Sequence, residues 1–258
     1  MNRETHPEAY DWLIKCGDTP EEIEGYWDSY AIGVWDAHAD LRAAGKLPAS
    51  AYLNESVAPA VGSIMSFADI DWRVLAVEGN KALLISENIL EKRPYNERSH
   101  NERSHITEDT DVTWETCTLR KYLNEEFYDS LGINKSKIAE TKNTNPDNQW
   151  YETNGGNATT DKIFLLSLDE AVKYFGDSGQ LANPPEDKYW IVDEYDSARI
   201  AKDKNGKSSW WLRSPGIDDY CDCGGFAPYV SIDGYVSVHG NEVYSGNIGV
   251  RPALWLNI

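Results

Sequence analysis

The chain is poor in cysteine, in basic charge and in long apolar runs, and each shortage removes a class of function. Four cysteines in 258 residues, Cys16, Cys117, Cys221 and Cys223, are too few and too unevenly spaced for a disulfide framework, so a reducing compartment is expected. Only 24 Lys and Arg stand against 43 Asp and Glu, a formal net charge of −19. Such a surface repels phosphate backbones and anionic headgroups, which argues against nucleic-acid or membrane-surface binding. No stretch approaches the roughly 20 apolar residues of a membrane helix, and the opening MNRETHPEAYDW lacks the basic and apolar parts of a signal peptide, so neither membrane insertion nor export is expected and the cytoplasm is the expected location. No GxSxG, P-loop, dinucleotide fingerprint or HExxH occurs. We therefore assign no catalytic residue, no metal ligand and no cofactor from sequence.

Aromatic residues are plentiful instead, with 10 Trp and 15 Tyr, so most of the chain should fold around a substantial core. Residues 1–60 read as helical. A short helix over Pro7–Lys15 stops at Gly17, and Thr19-Pro20-Glu21-Glu22 opens a second. Its stripe of Ile23, Trp27, Tyr30, Val34, His38 and Leu41 recurs at helical spacing and ends near Gly45. Docking on the rest of the chain, oligomerisation and attachment to an assembly all remain open for this pair.

Residues 61–258 change grammar to short strands and turns. Ile64–Phe67, Asp71–Val77 and Ala82–Ser86, with Gly79-Asn80 as a turn, predict an antiparallel meander. Two helices are expected beside it, Thr113–Tyr128 closed by Gly132, and Ser167–Phe175 with a capping box and Gly176 as its stop. The AsnGluArgSerHis unit repeated before Ile106 reads as a loop enlarged by duplication, and its His100 and His105 lack the companions a metal would need. Thr141–Asp161 reads as a long loop without periodicity.

Near the C-terminal end, SerSerTrpTrpLeuArgSerProGly (208–216) and GlyValArgProAlaLeuTrpLeuAsnIle (249–258) look like core strands that frame a polar, aromatic segment. Between them, Val230, Ile232, Val236, Val238 and Val243 with Gly234 and Gly240 indicate hairpin strands. The side chains expected to face outward and bind a ligand are Ile217, Asp218, Asp219, Tyr220, Asp222, Phe226, Tyr229, Ser231, Asp233, Tyr235, Ser237, His239, Asn241, Tyr244 and Ser245. Rigid aromatics beside small polar groups are the mixture antibody paratopes use. Tyr220, Phe226, Tyr229, Tyr235 and Tyr244 are the expected anchors. Cys221-Asp222-Cys223 is a poor zinc or disulfide pair at that spacing, and the acids at 218, 219 and 222 read as a solvated loop before a calcium site.

The motifs TrpTrpLeuArgSerProGly (210–216), GlyValArgProAlaLeuTrpLeu (249–256), TrpArgValLeu (72–75) and ThrTrpGluThrCysThrLeuArgLysTyrLeuAsn (113–124) resemble a widespread family of uncharacterised domains in gut Firmicutes and their phages. The resemblance runs from about Ile64 to Ile258. It implies an α+β, C-type-lectin-like fold, related to formylglycine-generating-enzyme-like domains: an antiparallel sheet with two flanking helices, preceded here by the N-terminal helices. Some members of that family are similar to the variable proteins of diversity-generating retroelements, in which adenine-directed mutagenesis rewrites codons for a ligand-binding surface. The resemblance thus implies a non-catalytic receptor for a protein ligand, with a glycan as second choice, and a virion-associated location if a phage encodes it. A formylglycine-generating-enzyme-like oxidoreductase and a structural assembly protein are the alternatives, and the catalytic cysteine arrangement of the former has no convincing match here. Ligand identity and oligomeric state are not legible.

Overall fold

Thr19 and Glu22 build the cap that their spacing predicts. The Glu22 carboxylate accepts from the Thr19 N–H at 2.8 Å, and the Thr19 hydroxyl accepts from the Glu22 N–H at 3.3 Å. This opens α2 (Pro20–Gly25), which follows α1 (Pro7–Cys16). Ile23 is fully buried with Leu13, and Tyr10 and Trp12 pack around them. The computed structural model describes residues 2–16, 18–25, 58–97, 112–186, 189–217 and 225–258. Trp27, Tyr30, Val34, His38 and Leu41, the Asn-Glu-Arg-Ser-His repeat with its two histidines, and Asp218, Asp219, Tyr220, Cys221, Asp222 and Cys223 lie outside the described residues. The chain divides into two units, Met1–Ala58 and Pro59–Ile258.

The second unit is α+β with mostly antiparallel sheets. β1 (Ile64–Phe67), β2 (Ile70–Glu78) and β3 (Lys81–Ser86) form the meander. Ala68 and Asp69 both take positive φ, 52° and 58°, in the two-residue turn between the first pair, where the twist of a hairpin requires it. The last strand of the chain, β15 (Ala253–Asn257), adds beside β3 in antiparallel register from Ala253↔Ile85 to Asn257↔Lys81, and β5 (Ile138–Ala139) closes the far edge.

The second sheet runs in the order β4 (Glu91–Lys92), β14 (Gly249–Val250), β11 (Trp210–Trp211), β12 (Phe226–Val230), β13 (Val236–Glu242), β8 (Trp190–Ile191). Its β11–β14 pair is parallel and the others are antiparallel. The 249–258 motif is thus two strands in two sheets, not one. Arg251-Pro252 makes the crossing: proline has no N–H to give a ladder, while its carbonyl still accepts from Ser86 N at 2.9 Å. The 208–216 motif is largely buried, as expected, but is strand only at Ser208, which ends a separate ribbon, and at Trp210–Trp211. Its later backbone serves irregular partners, Leu212 N donating to Pro228 O and Arg213 N to Leu166 O.

Two expected boundaries shift. The helix anticipated at Thr113 starts five residues later, as α3 (Thr118–Tyr122), because Thr113–Thr116 closes a separate turn and Cys117 supplies the cap, its Sγ accepting from Arg120 N. A π-helical stretch, Leu123–Phe127, carries the chain into α4 (Tyr128–Ser130) and then a 3-10 turn, Gly132–Lys137. The loop expected over 141–161 has paired ends, β6 (Thr141–Asn143) against β7 (Thr159–Asp161), a polar ribbon that apolar periodicity cannot reveal. α5 (Leu168–Phe175) has both bonds of its capping box. After it come α6 (Asp196–Arg199) and the ribbon β9 (Ala201–Asp203) and β10 (Gly206–Ser208).

Four tryptophans, Trp72, Trp114, Trp210 and Trp211, are fully buried in the core. Charged side chains pin its edges. Arg199, also fully buried, meets Asp193 at 2.5 Å and Asp196 at 3.1 Å. Arg213 of the 208–216 motif pairs with Glu170 and donates to the carbonyls of Leu165 and Thr144. Asp161 accepts from Trp114, Asn143, Thr159 and Arg120. A buried charge is tolerated only with such company.

Candidate ligand-binding face

Strand alternation splits the second sheet into two rows of opposite character. In register across four strands, Trp210, Val230, Val236 and Ile191 form a row with at most 1% exposure that joins the core. One residue along each strand, Trp211, Tyr229, Ser237 and Trp190 form the matching row on the other face. Tyr229 stands edge-on to both tryptophans, 6.0 Å from the Trp190 ring and 6.4 Å from Trp211.

This face grades from closed to open. At one end Trp211 lies beneath Tyr95, centroids 5.8 Å apart, and Tyr95 in turn meets Trp114 at 6.2 Å. At the other end His239, two residues beyond Ser237 on the same side of β13, receives the edges of Phe226 at 5.2 Å and Tyr189 at 5.4 Å. Phe226, Trp190 and His239 are half-buried, and Tyr189 is 43% exposed. Edge-to-face arrangements of this kind hold rings rigidly while leaving surface for contact. Burial pushes the Tyr229 phenol above its ordinary value, and its hydrogen bond with the Ser237 hydroxyl opposes that shift.

The neighbouring backbone is packed to fix this geometry. Gly216 passes so close to β13 that a Cβ there would sit 2.4 Å from the His239 carbonyl oxygen, and Ile217 N donates to that same oxygen at 3.0 Å. Gly240, at φ +103°, lies so close to β12 that a Cβ there would sit 2.7 Å from the Ala227 carbonyl. From the long connection between β6 and β7, buried Asn148 donates to Pro215 O at 2.9 Å and Val238 O at 3.0 Å, clamping the two segments together.

The residues expected to bind therefore divide. Tyr229, Ser237 and His239 share the face, Phe226 joins it across the register irregularity of β12 by its ring contact with His239, and Asn241 follows on β13, half-buried. Ser237 is only 1% exposed, its hydroxyl accepting from Gly240 N, so it is not the outward contact the alternation suggested; it braces Tyr229. Ile217 is 8% exposed, held by its bond to β13, and is likewise not an outward residue. Tyr229 and Tyr244 pack against the core, which makes them partly structural rather than pure anchors. Ser231, Asp233 and Tyr235 lie in the hairpin turn, where the Ser231 hydroxyl accepts from the N–H groups of Asp233 and Tyr235 and Arg199 reaches the Gly234 carbonyl. Ser245 sits half-buried beyond β13, its N–H bonded to Glu242 O. Tyr189 and Trp190 were missed because they precede the C-terminal segment; the Tyr189-Trp190-Ile191-Val192 run of strand-forming residues was the available signal.

Among the described residues no group of three or more His, Cys, Asp or Glu is placed to hold a metal ion, and no helix is long and apolar enough to cross a membrane. Cys117 is buried and its thiol is pushed up to about 12, chiefly by burial. It is not an activated nucleophile.

Residues 79–258 match the model of a domain of unknown function, DUF6273. The chain belongs to the DUF6273 family. The matched DUF6273 region begins at the β2–β3 turn and takes in the whole second sheet, so the aromatic face is part of the family domain, whereas β1, β2 and the N-terminal unit precede it. No curated protein and no solved structure matches the chain.

Proposed function

We propose that this DUF6273 protein is a non-catalytic ligand-binding protein whose aromatic face, together with the 218–224 segment leading into it, is the recognition surface. The carrying observation is the cluster of Tyr189, Trp190, Phe226 and His239. Tyr189 and Phe226 are set edge-to-face against His239 and Trp190 against Tyr229, and all four keep exposed surface. Partly exposed aromatics held in place at little further entropic cost are what hot spots of binding surfaces consist of.

The finer reading is that the scaffold is C-type-lectin-like and that the surface around 217–245 is a variable one, rewritten by a retroelement to engage protein ligands, or glycans as second choice. Its support is the motif resemblance, the return of the final strand to pair with the meander near the domain's start, and a composition in this segment (Asn, Asp, Tyr, Ser, His, Phe, Ile, Cys, Gly) reachable by changing adenines of an AAC codon. A receptor of this kind would work in the cytoplasm or on a virion. The oxidoreductase alternative depends on Cys221 and Cys223.

The test is a triple variant, Tyr189→Ala, Phe226→Ala and His239→Ala, screened beside the wild type on an array of surface proteins and glycans. Binding should fall at least tenfold for every ligand the wild type captures, with thermal stability almost unchanged. Retained binding, or collapse of the fold, rejects the face as the recognition surface.

A further inference from the structure

A second concavity, sharing no residue with the aromatic face, opens between β2, the C-terminal end of α5 and α6, with a volume of about 340 Å³. That is the size range of small-molecule sites. Its lining includes Arg251, which is 2% exposed. The Arg251 guanidinium donates through Nε to Ser86 O at 2.8 Å and through Nη2 to Glu87 O at 3.4 Å, while Nη1 has no hydrogen-bond partner. It lies over the rings of Trp210 and Phe175, at 5.0 and 5.3 Å. The nearby carboxylate, Glu87, is committed elsewhere, accepting from Arg73 Nε at 2.8 Å and Nη2 at 2.5 Å. A buried cation with carbonyls but no counter-ion is an unfinished arrangement.

Two arginines and one glutamate line this space, leaving one positive charge in excess, in a chain whose net charge is −19. A positive concavity on an acidic protein selects anions locally even though the whole surface repels them. The remaining wall is apolar and aromatic, from Leu75, Phe175 and Ile200, with Tyr174 beside them. Guanidinium groups suit the planar carboxylate best, and one excess charge suits a monoanion.

We propose that this cavity binds a small amphipathic monocarboxylate, its carboxylate on Arg251 and Arg73 and its apolar body against Leu75, Phe175 and Ile200. Burial lowers the Arg251 guanidinium to about 10, so it is still cationic at neutral pH and available to an anion.

The experiment is calorimetric titration of the full chain with phenylacetate and octanoate, with phenylacetamide and inorganic phosphate as controls. Both carboxylates should bind with a submillimolar Kd, and both controls should fail. Ala198→Trp, at an exposed position on the rim, should block binding without affecting the fold, and Arg73→Gln should weaken it at least tenfold. Arg251→Met, which keeps an apolar filler over Trp210, should abolish it; should that variant not fold, Ala198→Trp decides alone. The proposal is overturned if neither carboxylate binds the wild type, if phenylacetamide binds as well as phenylacetate, or if binding survives in Ala198→Trp. Loss of the aromatic-face function leaves this site untouched, so the two readings fail separately.

Discussion

Replacing Asp161 by alanine should remove a large part of the stability of the second unit. The Asp161 side chain is fully buried, and its Oδ2 accepts from Trp114 Nε1 at 3.0 Å, Asn143 Nδ2 at 2.8 Å and Thr159 Oγ1 at 2.7 Å, while Oδ1 accepts from Arg120 Nε at 2.6 Å. The variant leaves Trp114 and Asn143 as buried donors without their acceptor, each costing about 1–3 kcal/mol. Thr159 can rotate its hydroxyl. Arg120, a quarter exposed, keeps carbonyl partners at Glu115 and Thr160 and can reach water, so its loss is smaller. The sum is about 4 kcal/mol, within the range for breaking a buried pair. Against a total of about 5–15 kcal/mol this is severe, and at a urea slope of about 2 kcal/mol/M it lowers the midpoint by about 2 M. Asp161→Asn retains one acceptor oxygen and should cost about half as much. Urea unfolding followed by tryptophan fluorescence reads both. A loss below about 1 kcal/mol for Asp161→Ala would refute the claim that this carboxylate joins the β6–β7 ribbon to α3.

Asp193→Ala strips Arg199 of its 2.5 Å partner, and of the bonds Asp193 makes to Ser178 and Tyr195 N, and should cost about 3 kcal/mol in the same assay. Cys117 sets an alkaline limit. Its thiol titrates near 9.0 when unfolded and at about 12 when folded, raised mainly by burial, so between these values the unfolded state loses a proton that the native state keeps. Stability should therefore fall as pH rises past about 9, with Cys117→Ala removing a slope of up to about 1.4 kcal/mol per pH unit. A wild-type and variant profile that coincide from pH 9 to 11 would contradict this. The same burial predicts that Cys117 resists alkylation in native protein and reacts at once in urea, as mass spectrometry of the labelled peptide would show.

Local signals were legible where one short stretch decides the outcome. The capping box at Ser167, the Thr19–Glu22 cap and the meander over 64–86 all depend on neighbours within a few residues, and they fold as their spacing indicates. What escaped depends on distant partners. Nothing around Thr141 or Thr159 announces that they face each other across a ribbon, because Asp161, which anchors it, is satisfied by groups as far away as Trp114. The Arg-Pro step at 251–252 reads as one strand, yet hydrogen bonds to two sheets divide it. The site shows the same boundary. Alternation puts Tyr229, Ser237 and His239 on one side but would put Phe226, three residues from Tyr229, on the other. The register irregularity between Ala227 and Tyr229 lets Phe226 meet His239, and Ser237 is covered, since period two says which side a residue takes and not what covers that side. Tyr189 and Trp190 join the face only because β8 pairs with β13, a contact across some 45 residues of chain.

The most direct test of a variable, ligand-binding face is to sequence the DNA flanking the gene, seeking a near-copy of the region that encodes residues 208–258. The account predicts such a copy beside a reverse transcriptase, differing only at adenines, with the altered codons at partly exposed positions such as Phe226 and His239 and none at the fully buried Val230, Val236 or Val238. No copy, or substitutions spread evenly over both faces of the sheet, would contradict it.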